Sequence, residues 1–511
     1  MRHLPRHSAV RSSAIAIAVT TALLVGVVSA QDAPKAEDEN DTAQLDVVTV
    51  TAQRRVEDVN EVPIAITTLS DEKLDVIGSG GDDIRVLSGR LPSLNIESSF
   101  GRAFPRFYIR GLGNTDFDLN ASQPVSLIYD DIVQENPLLK GFPMFDLDSV
   151  EMLRGPQGTL FGRNTPAGVL KFQSRRPDQE HDGYAQVSYG QMGNANFEGA
   201  VGGGLNDAWS MRASALYQRR DDWVDNTHST GGDDLEGYKE FAARVQLLYA
   251  PSDDSEALFN IHLRSLDGTA RLFRANIIQH GSNDFVPGFD RDSIAIDGDN
   301  HQELDTWGTN ARLRFDLGRV TLFSVTGYES AESFSRGDID GGFGAVFAPP
   351  SGPGFIPFPA ESADGLPEHR QLSQEFRFES NDWGDFDWQA GVFWFDESIS
   401  IDSFSYDTLA GGAQNGYARQ EQDNTAWALF ASGEYQAGDA LTLRAGLRYT
   451  RDEKDFAAFR TQSPFGAPDI GPLTANPSDS DVSWDLSAVY ALADEVNLYG
   501  RVARGFRAPS I

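Results

Sequence analysis

The chain has 511 residues, a formal net charge of −34, no cysteine and 11% aromatic residues. Such acidity excludes nucleic acid as a partner, and the lack of cysteine excludes thiolate metal sites and disulfide stapling, leaving backbone pairing and burial to hold any fold. With 40% hydrophobic residues there is ample apolar material for a folded structure.

Residues 1–30 read as a signal peptide. Arg2, Arg6 and Arg11 form its basic start, Ala14 to Val28 its apolar stretch, and Val28-Ser29-Ala30 a small-residue cleavage site. No later stretch approaches the roughly eighteen consecutive apolar residues of a membrane helix, so a membrane location would require strands. Residues 31–45 are acidic and poor in apolar side chains, as expected of a flexible leader. Asp46, Val47, Val48, Thr49, Val50, Thr51 and Ala52 then form a short β-branched run in polar surroundings. It can be an edge strand of the next domain, or an extended segment that adds itself as a strand to a partner. Its position between the acidic leader and Arg54-Arg55, ahead of any compact fold, favours the second reading.

Residues 56–177 predict a compact α/β domain. Ile64 to Leu69 is a strand, Ser70 with Lys73 opens a short helix, and Asp83 to Leu91 is a second helix ending before Pro92. Phe107 to Gly111 and Val125 to Asp131 are further strands. The run from Val150 to Phe172 is the most distinctive in the chain. Glu151 and Arg154 flank two apolar residues; Gly155, Gly158, Gly162 and Gly168, with Pro156 and Pro166, then impose tight turns and close backbone approaches.

This run resembles the end of the plug domain of TonB-dependent outer-membrane receptors, in which a V-E-x-x-R-G-P-x-G-x-L-F-G segment leads into the first barrel strand. Pro92-Ser93-Leu94, Ile109-Arg110-Gly111 and Tyr129-Asp130-Asp131 follow the family's plug in the same order. Two positions depart from it: Asp131 stands where the family usually has glycine, and Leu170-Lys171 where it often has isoleucine and asparagine. The resemblance is strong for residues 46–177 and a matter of pattern beyond them.

From residue 178 to 511 the sequence alternates. In Leu441 to Tyr449 the odd positions are apolar while Arg444 and Arg448 share the other face. The same period of two runs through Ala243 to Tyr249, Ala257 to Leu263 and Trp484 to Tyr490. Tyrosines such as Tyr217, Tyr249, Tyr449 and Tyr490 stand at strand ends, as an interfacial girdle requires. Short turns near 205–207, 251–254, 317–319, 381–384, 437–439 and 493–495 alternate with polar stretches near 222–237, 269–302, 332–366, 400–421 and 454–480, the spacing of a membrane β-barrel. About thirteen antiparallel strands are expected, against about 22 in plugged outer-membrane transporters. The expected fold is therefore a partial membrane β-barrel with an N-terminal α/β plug, its first and last strands unpaired. In that form the chain is expected neither to insert nor to transport, and only the complete gene product is expected to carry such an activity.

No catalytic constellation is visible, and no enzyme or cofactor is expected. His181, His228, His262, His280, His301 and His369 lack metal-ligand spacing and read as solvated loop or lumen residues. The resemblance implies that Asp46 to Ala52 is the TonB box, and that Arg110, Glu151 and Arg154 lock the plug to wall residues such as Arg444, Arg448 or Glu434. At the plug apex Phe100, Arg102, Phe104 and Arg106 interleave aromatic and cationic groups suited to an anionic, partly aromatic ligand, while acidic loops at Asp221-Asp222 and Asp233-Asp234 suit a cationic one. The implied function is energy-coupled import across the outer membrane, with the inner-membrane TonB complex as partner and a ferric siderophore or other iron complex as cargo. Haem, to which Phe506-Arg-Ala-Pro509 lends some support, cobalamin and oligosaccharide are alternatives. An uncoupled surface receptor or adhesin is the competing class.

Overall fold

The computed structural model describes residues 49–51, 53–70, 72–78, 82–98, 100–116, 118–228, 234–270, 272–341, 361–407, 412–463, 467–493 and 496–510. A short hairpin opens it, β1 (Thr49–Val50) against β2 (Glu57–Asp58). The α/β region follows: β3 (Ile66–Ser70), α1 (Glu72–Gly78), β4 (Leu94–Ser98), β5 (Pro105–Ile109), β6 (Val125–Tyr129), β7 (Ile132–Gln134), β8 (Leu147–Arg154), α2 (Gly158–Phe161) and β9 (Gly168–Ser174). Five of these strands form one sheet in the order β3-β8-β9-β6-β7, in which only β6 and β9 run parallel; β4 and β5 pair separately. Leu74, Ile77, Leu87, Leu91, Phe107 and Ile109 close over this sheet against Val150, Met152, Leu170 and Phe172. Gly168 shows why the distinctive run needs its glycines: with φ +147 it passes so close to β8 that a Cβ would lie 2.2 Å from the Leu153 carbonyl oxygen.

Two expected elements are shorter than the sequence suggested. The helix expected over Asp83 to Leu91 is a single 3-10 turn, Ile84–Leu87, capped by the Asp83 side chain on the Arg85 amide. Ser88 leaves helical geometry and turns its hydroxyl to the Ile96 amide (2.6 Å), and Gly89 is left-handed, so the turn cannot propagate. The strand expected over Phe107 to Gly111 stops at Ile109, because Arg110 (φ 54) and Gly111 (φ 78) both enter the left-handed region.

The region of the large antiparallel sheet starts with β10 (Asp182–Tyr189), β11 (Ala195–Asn206), β12 (Trp209–Arg220), β14 (Tyr238–Ser252), β15 (Ser255–Gly268) and β17 (His301–Asp316), with β13 (Asp225–Asn226) and β16 (Ser293–Ile294) lying outside that sheet. It continues with β18 (Val320–Asp338), β19 (Glu361–Ser380), β20 (Phe386–Asp407), β21 (Ala413–Gln436), β22 (Leu441–Gln462), β23 (Ile470–Ala475), β24 (Ser478–Ala493) and β25 (Val496–Arg504). β13 and β16 pair only with each other, in parallel, and β23 adds to the edge of β22. The other strands each pair with the next in one ladder from β10 to β25, and no rung joins β25 back to β10 among the described residues.

Several of these strands outrun the sequence expectation. Among the described residues, the stretches read as loops near 332–366, 400–421 and 454–480 are largely ladder: β18 runs to Asp338, β19 begins at Glu361, β20 runs to Asp407, β21 begins at Ala413 and β22 reaches Gln462. A tilted crossing of a bilayer needs about 9–11 residues, whereas β21 has 24. Beyond the crossing both faces become polar, so the hydropathy contrast that marks a strand disappears while the backbone bonds continue.

Where contrast exists it is inverted relative to a water-soluble core. Leu443, Leu447 and Tyr449 are exposed, whereas Arg444, Arg448, Asp452 and Lys454 on the other face of β22 are buried. The buried polar face is the one that meets the α/β region; the exposed face carries the aromatic pairs Trp209–Tyr249, Trp307–Tyr328 and Trp427–Tyr449, with centroids 4.5–5.5 Å apart. No helix among the described residues is long and apolar enough to cross a membrane.

Candidate functional site

Of the β-branched run Asp46 to Ala52, only Thr49, Val50 and Thr51 are among the described residues; Asp46, Val47, Val48 and Ala52 lie outside them, as do residues 1–30 and Asp233. Val50 is 1% exposed and packs among Val62, Ile64, Ile128, Leu153, Phe161 and Val169. Thr51 donates from its amide (2.7 Å) and its hydroxyl (2.9 Å) to one Glu151 oxygen, and accepts from Lys171 Nζ at 2.5 Å. The residues that follow are stitched to the large sheet: Arg54 to Glu375 on β19 (3.3 Å), Arg55 to Asp387 on β20 (3.3 Å) and Glu57 to Arg444 on β22 (2.7 Å). The segment is thus held by β8 and β9 at one end and by three sheet strands at the other.

Arg110, Glu151 and Arg154 meet different partners from those expected of a lock to the wall. Glu151 is buried on an interior strand of the five-stranded sheet, opposite Lys171 of β9 and bonded by Thr51, the residue that follows β1. Arg154 spans its own domain, donating to the carbonyls of Pro92 (3.2 Å) and Ala65 (3.3 Å) and to the Thr67 hydroxyl (2.5 Å). Burial, and then the like charge of Arg110, hold its guanidinium below the ordinary arginine range. Arg110 is exposed, and its amide donates to the Ser93 carbonyl. The expected wall partners are engaged elsewhere: Glu434 and Arg444 pair with each other across β21 and β22, and Arg448 lies over the rings of Phe393 and Phe430.

The seam between α/β region and sheet is made by other residues, in three tiers. At the end away from the short turns, Arg102 donates to Glu240 (2.8 Å from Nε, 2.7 Å from a terminal nitrogen) and to Gln218 (2.8 Å), while Arg264 shares the same carboxylate at 2.7 Å. Glu240 is 1% exposed, so two guanidinium groups neutralise one carboxylate away from water. In the middle, Arg163 pairs with the fully buried Asp452, donates to Asn424 (3.2 Å) and stacks on Phe395 at 4.3 Å. On the opposite side Asp146 accepts from Arg212 (2.6 and 2.9 Å) and faces Arg244 at 3.5 Å, which donates to the Tyr129 hydroxyl at 2.6 Å. The third tier is the set of N-terminal ion pairs already described.

Three of the four apex residues, Phe100, Arg102 and Phe104, meet the large sheet, and Arg106 bonds within its own domain. Arg102 is committed to Glu240, Phe104 is fully buried with Phe100 edge-on to it at 5.6 Å, and Arg106 is buried, donating to the Thr115 carbonyl at 2.9 Å. Arg102 also lines a cleft of about 250 Å³ with Arg85, Arg220, Tyr238 and Gln302. A larger one of about 620 Å³ adjoins it, lined by Asp222, Asp234, Asp267 and Asp299 together with Lys239 and Phe334. At the same end the carboxylates of Asp297, Asp338 and Asp340 lie within 4.8 Å of one another, a geometry able to take a cation. His262 and His369, read as solvated loop or lumen residues, lie on the inner face, where they are buried against Glu329 (3.0 Å) and Glu397 (3.1 Å).

The seam residues left one trace in the sequence, the strand alternation itself. In β14 and β15 the polar positions Glu240, Arg244, His262 and Arg264 share the inward face. Which of them would find an arginine from the other domain depends on contacts distant in sequence, and Arg163 was obscured by the more conspicuous Glu151 and Arg154.

Comparison with known proteins bears on this arrangement. Residues 58–169 match the TonB-dependent Receptor Plug Domain model and residues 258–511 the model described as TonB dependent receptor-like, beta-barrel. The pesticin receptor of Yersinia enterocolitica is 24% identical over 481 residues, 92% of this chain and 64% of that protein. The ferric yersiniabactin uptake receptor FyuA from Yersinia pestis superposes with a TM-score of 0.73 at 20% identity, over 87% of this chain and 65% of that one. The ferric-catecholate import receptor Fiu from E. coli K12, in its open form, gives 0.68 at 16% identity, over 88% and 71%. The chain spans 64% of the length of the pesticin receptor it matches.

Proposed function

The chain belongs to the TonB-dependent outer-membrane receptors, a family of transport receptors and not of enzymes, and from that premise we propose that it serves energy-coupled import of a ferric siderophore or comparable iron complex. In this reading the large sheet is the wall of a membrane β-barrel, lipid on its apolar face and the plug on its polar face. Asp46 to Ala52 is the TonB box, which pairs as an added strand with the TonB protein of the inner-membrane complex. The clefts at the loop end receive the ligand. The Arg110, Glu151 and Arg154 group keeps a role in holding the plug's own framework and the box.

The observation that carries the proposal is the attachment of the N-terminal segment to both bodies. A strand that binds a partner and is also tied to plug and wall can pass a pull to the seam between them. The names of the relatives support the cargo class: a pesticin receptor, a ferric yersiniabactin uptake receptor and a ferric-catecholate import receptor. Deleting residues 46–52 is expected to abolish uptake of the iron complex while leaving its binding to whole cells intact. Uptake that survives the deletion would replace this reading with that of an uncoupled surface receptor.

A further inference from the structure

Tyr129 and Ile132 face each other at the end of the β6–β7 hairpin, so Asp130 and Asp131 form its two-residue turn, with φ of 48° and 68°. Two successive left-handed residues define a type I′ turn, which favours asparagine and glycine. A carboxylate side chain at the second position is sterically unfavourable and persists only where its surroundings over-determine it. Asp130 has a plain structural use: its carboxylate accepts from the Ser174 amide (2.8 Å), the Ser174 hydroxyl (2.6 Å) and Asn260 on β15 (3.1 Å).

Asp131 is placed differently. Its carboxylate lies 3.8 Å from Arg54 of the N-terminal segment, 3.8 Å from Lys171 of β9 and 3.5 Å from Arg312 of β17. Three separate parts of the molecule thus each direct one cation at a single acid. The facing atoms, Arg54 Nη1 and Arg312 Nε, are buried without a hydrogen-bond acceptor, so the attraction is through space. Burial alone would raise the Asp131 pKa, but the cations, Lys171 first and then Arg312 and Arg54, hold it below the ordinary carboxylate range. Lys171 closes the circuit by donating to Thr51, which in turn donates to Glu151. Asp131 and Lys171 both fall among the residues, with Leu170, at which the sequence departs from the usual plug pattern, and they face each other.

We propose that Asp131, with Lys171, is a positioning residue that latches the N-terminal segment at Thr51 and Arg54, binding it simultaneously to the plug and to β17 of the wall. The latch rests on the reading of residues 46–52 as the energy-coupling segment, and sets how readily that segment leaves its bed. Removing the Asp131 charge leaves Arg54, Lys171 and Arg312 repelling one another around an empty centre, and the one of them on a short terminal segment is freest to move.

The chain has no cysteine, so Val50→Cys, at a buried position of the segment, gives a single reporter that a maleimide can reach only when the segment swings out. In outer-membrane preparations of the full chain, Asp131→Asn and Lys171→Met are each expected to speed labelling about tenfold. Asp131→Gly suits the turn better than the native residue, folds without strain, and is expected to speed it equally. Unchanged labelling in Asp131→Asn and Asp131→Gly would overturn the latch, and acceleration by glycine alone would assign the effect to the turn backbone and overturn it as well. Capture of the purified periplasmic domain of TonB, with and without residues 46–52, tests the underlying reading separately. Faster labelling without capture would retain the latch and remove the coupling role.

Discussion

The seam between plug and sheet is built differently at its two ends. At the loop end Arg102 and Arg264 converge on a carboxylate that is 1% exposed, at 2.7 Å each. At the short-turn end Arg55 faces Asp387 at 3.3 Å and Glu379 at 3.9 Å, with side chains 25%, 39% and 11% exposed. Ion pairs cut off from water are costly to break because they leave an uncompensated buried charge, whereas water replaces the partner of an exposed one cheaply. The loop end is therefore a fixed clamp, while Arg55 at the turn end is a releasable tie beside the drier Arg54–Glu375 and Glu57–Arg444 pairs, whose side chains are 5–17% exposed.

The largest test of this contrast is Glu240→Ala, which strands two buried guanidinium groups. It is expected to cost about 3–5 kcal/mol, read as a loss of protease protection of residues 56–177 across a urea series. An intermediate effect is expected at Lys140, buried against the Val125 carbonyl at 3.1 Å. Burial pushes its pKa down to about 8 from 10.5, against the opposing pull of Glu135 and Glu397. The unfolded chain therefore holds this proton more tightly than the folded one, and stability should rise between about pH 8 and 10.5 by at most roughly 3 kcal/mol. Lys140→Met is expected to stabilise at pH 7 and to flatten that slope in the same urea series. The smallest effects belong to Arg55→Ala, at about 1 kcal/mol or less, and to the exposed Arg110→Ala, within about 0.5 kcal/mol. A cost at Arg55 equal to that at Glu240 would abolish the distinction between clamp and tie.

How much of this was legible in the sequence varied with the length scale of the interactions. The plug strands at Ile66–Ser70 and Val125–Tyr129 and the count of about thirteen sheet strands follow from local periodicity and turn spacing. Strand ends beyond the apolar band were not legible, because Arg419, Glu421 and Asp423 in β21 look like loop residues while their backbone remains paired to Phe459, Ala457 and Asp455. Glu151 and Arg102 were placed in the right neighbourhoods with other partners than those expected. Glu151 is buried and charged, as a lock residue should be, yet it faces Thr51, 100 positions away, because β8 lies inside a sheet whose order the sequence does not reveal. Arg102 looked available for a ligand because Glu240, which satisfies it, lies 138 residues further on.

The hairpin formed by β1 and β2 has a mechanical consequence. Its strands are antiparallel, with Thr49 opposite Asp58 and Val50 opposite Glu57, and the next attachments follow in chain order at Thr51, Arg54, Arg55 and Glu57. A force applied at the N-terminal end loads these fastenings one after another, as in opening a zipper, and not all together as in shearing two plates. Each step then faces only its own barrier and not the sum of all four, so a sustained tension can peel the segment away while the loop-end clamp still carries no load.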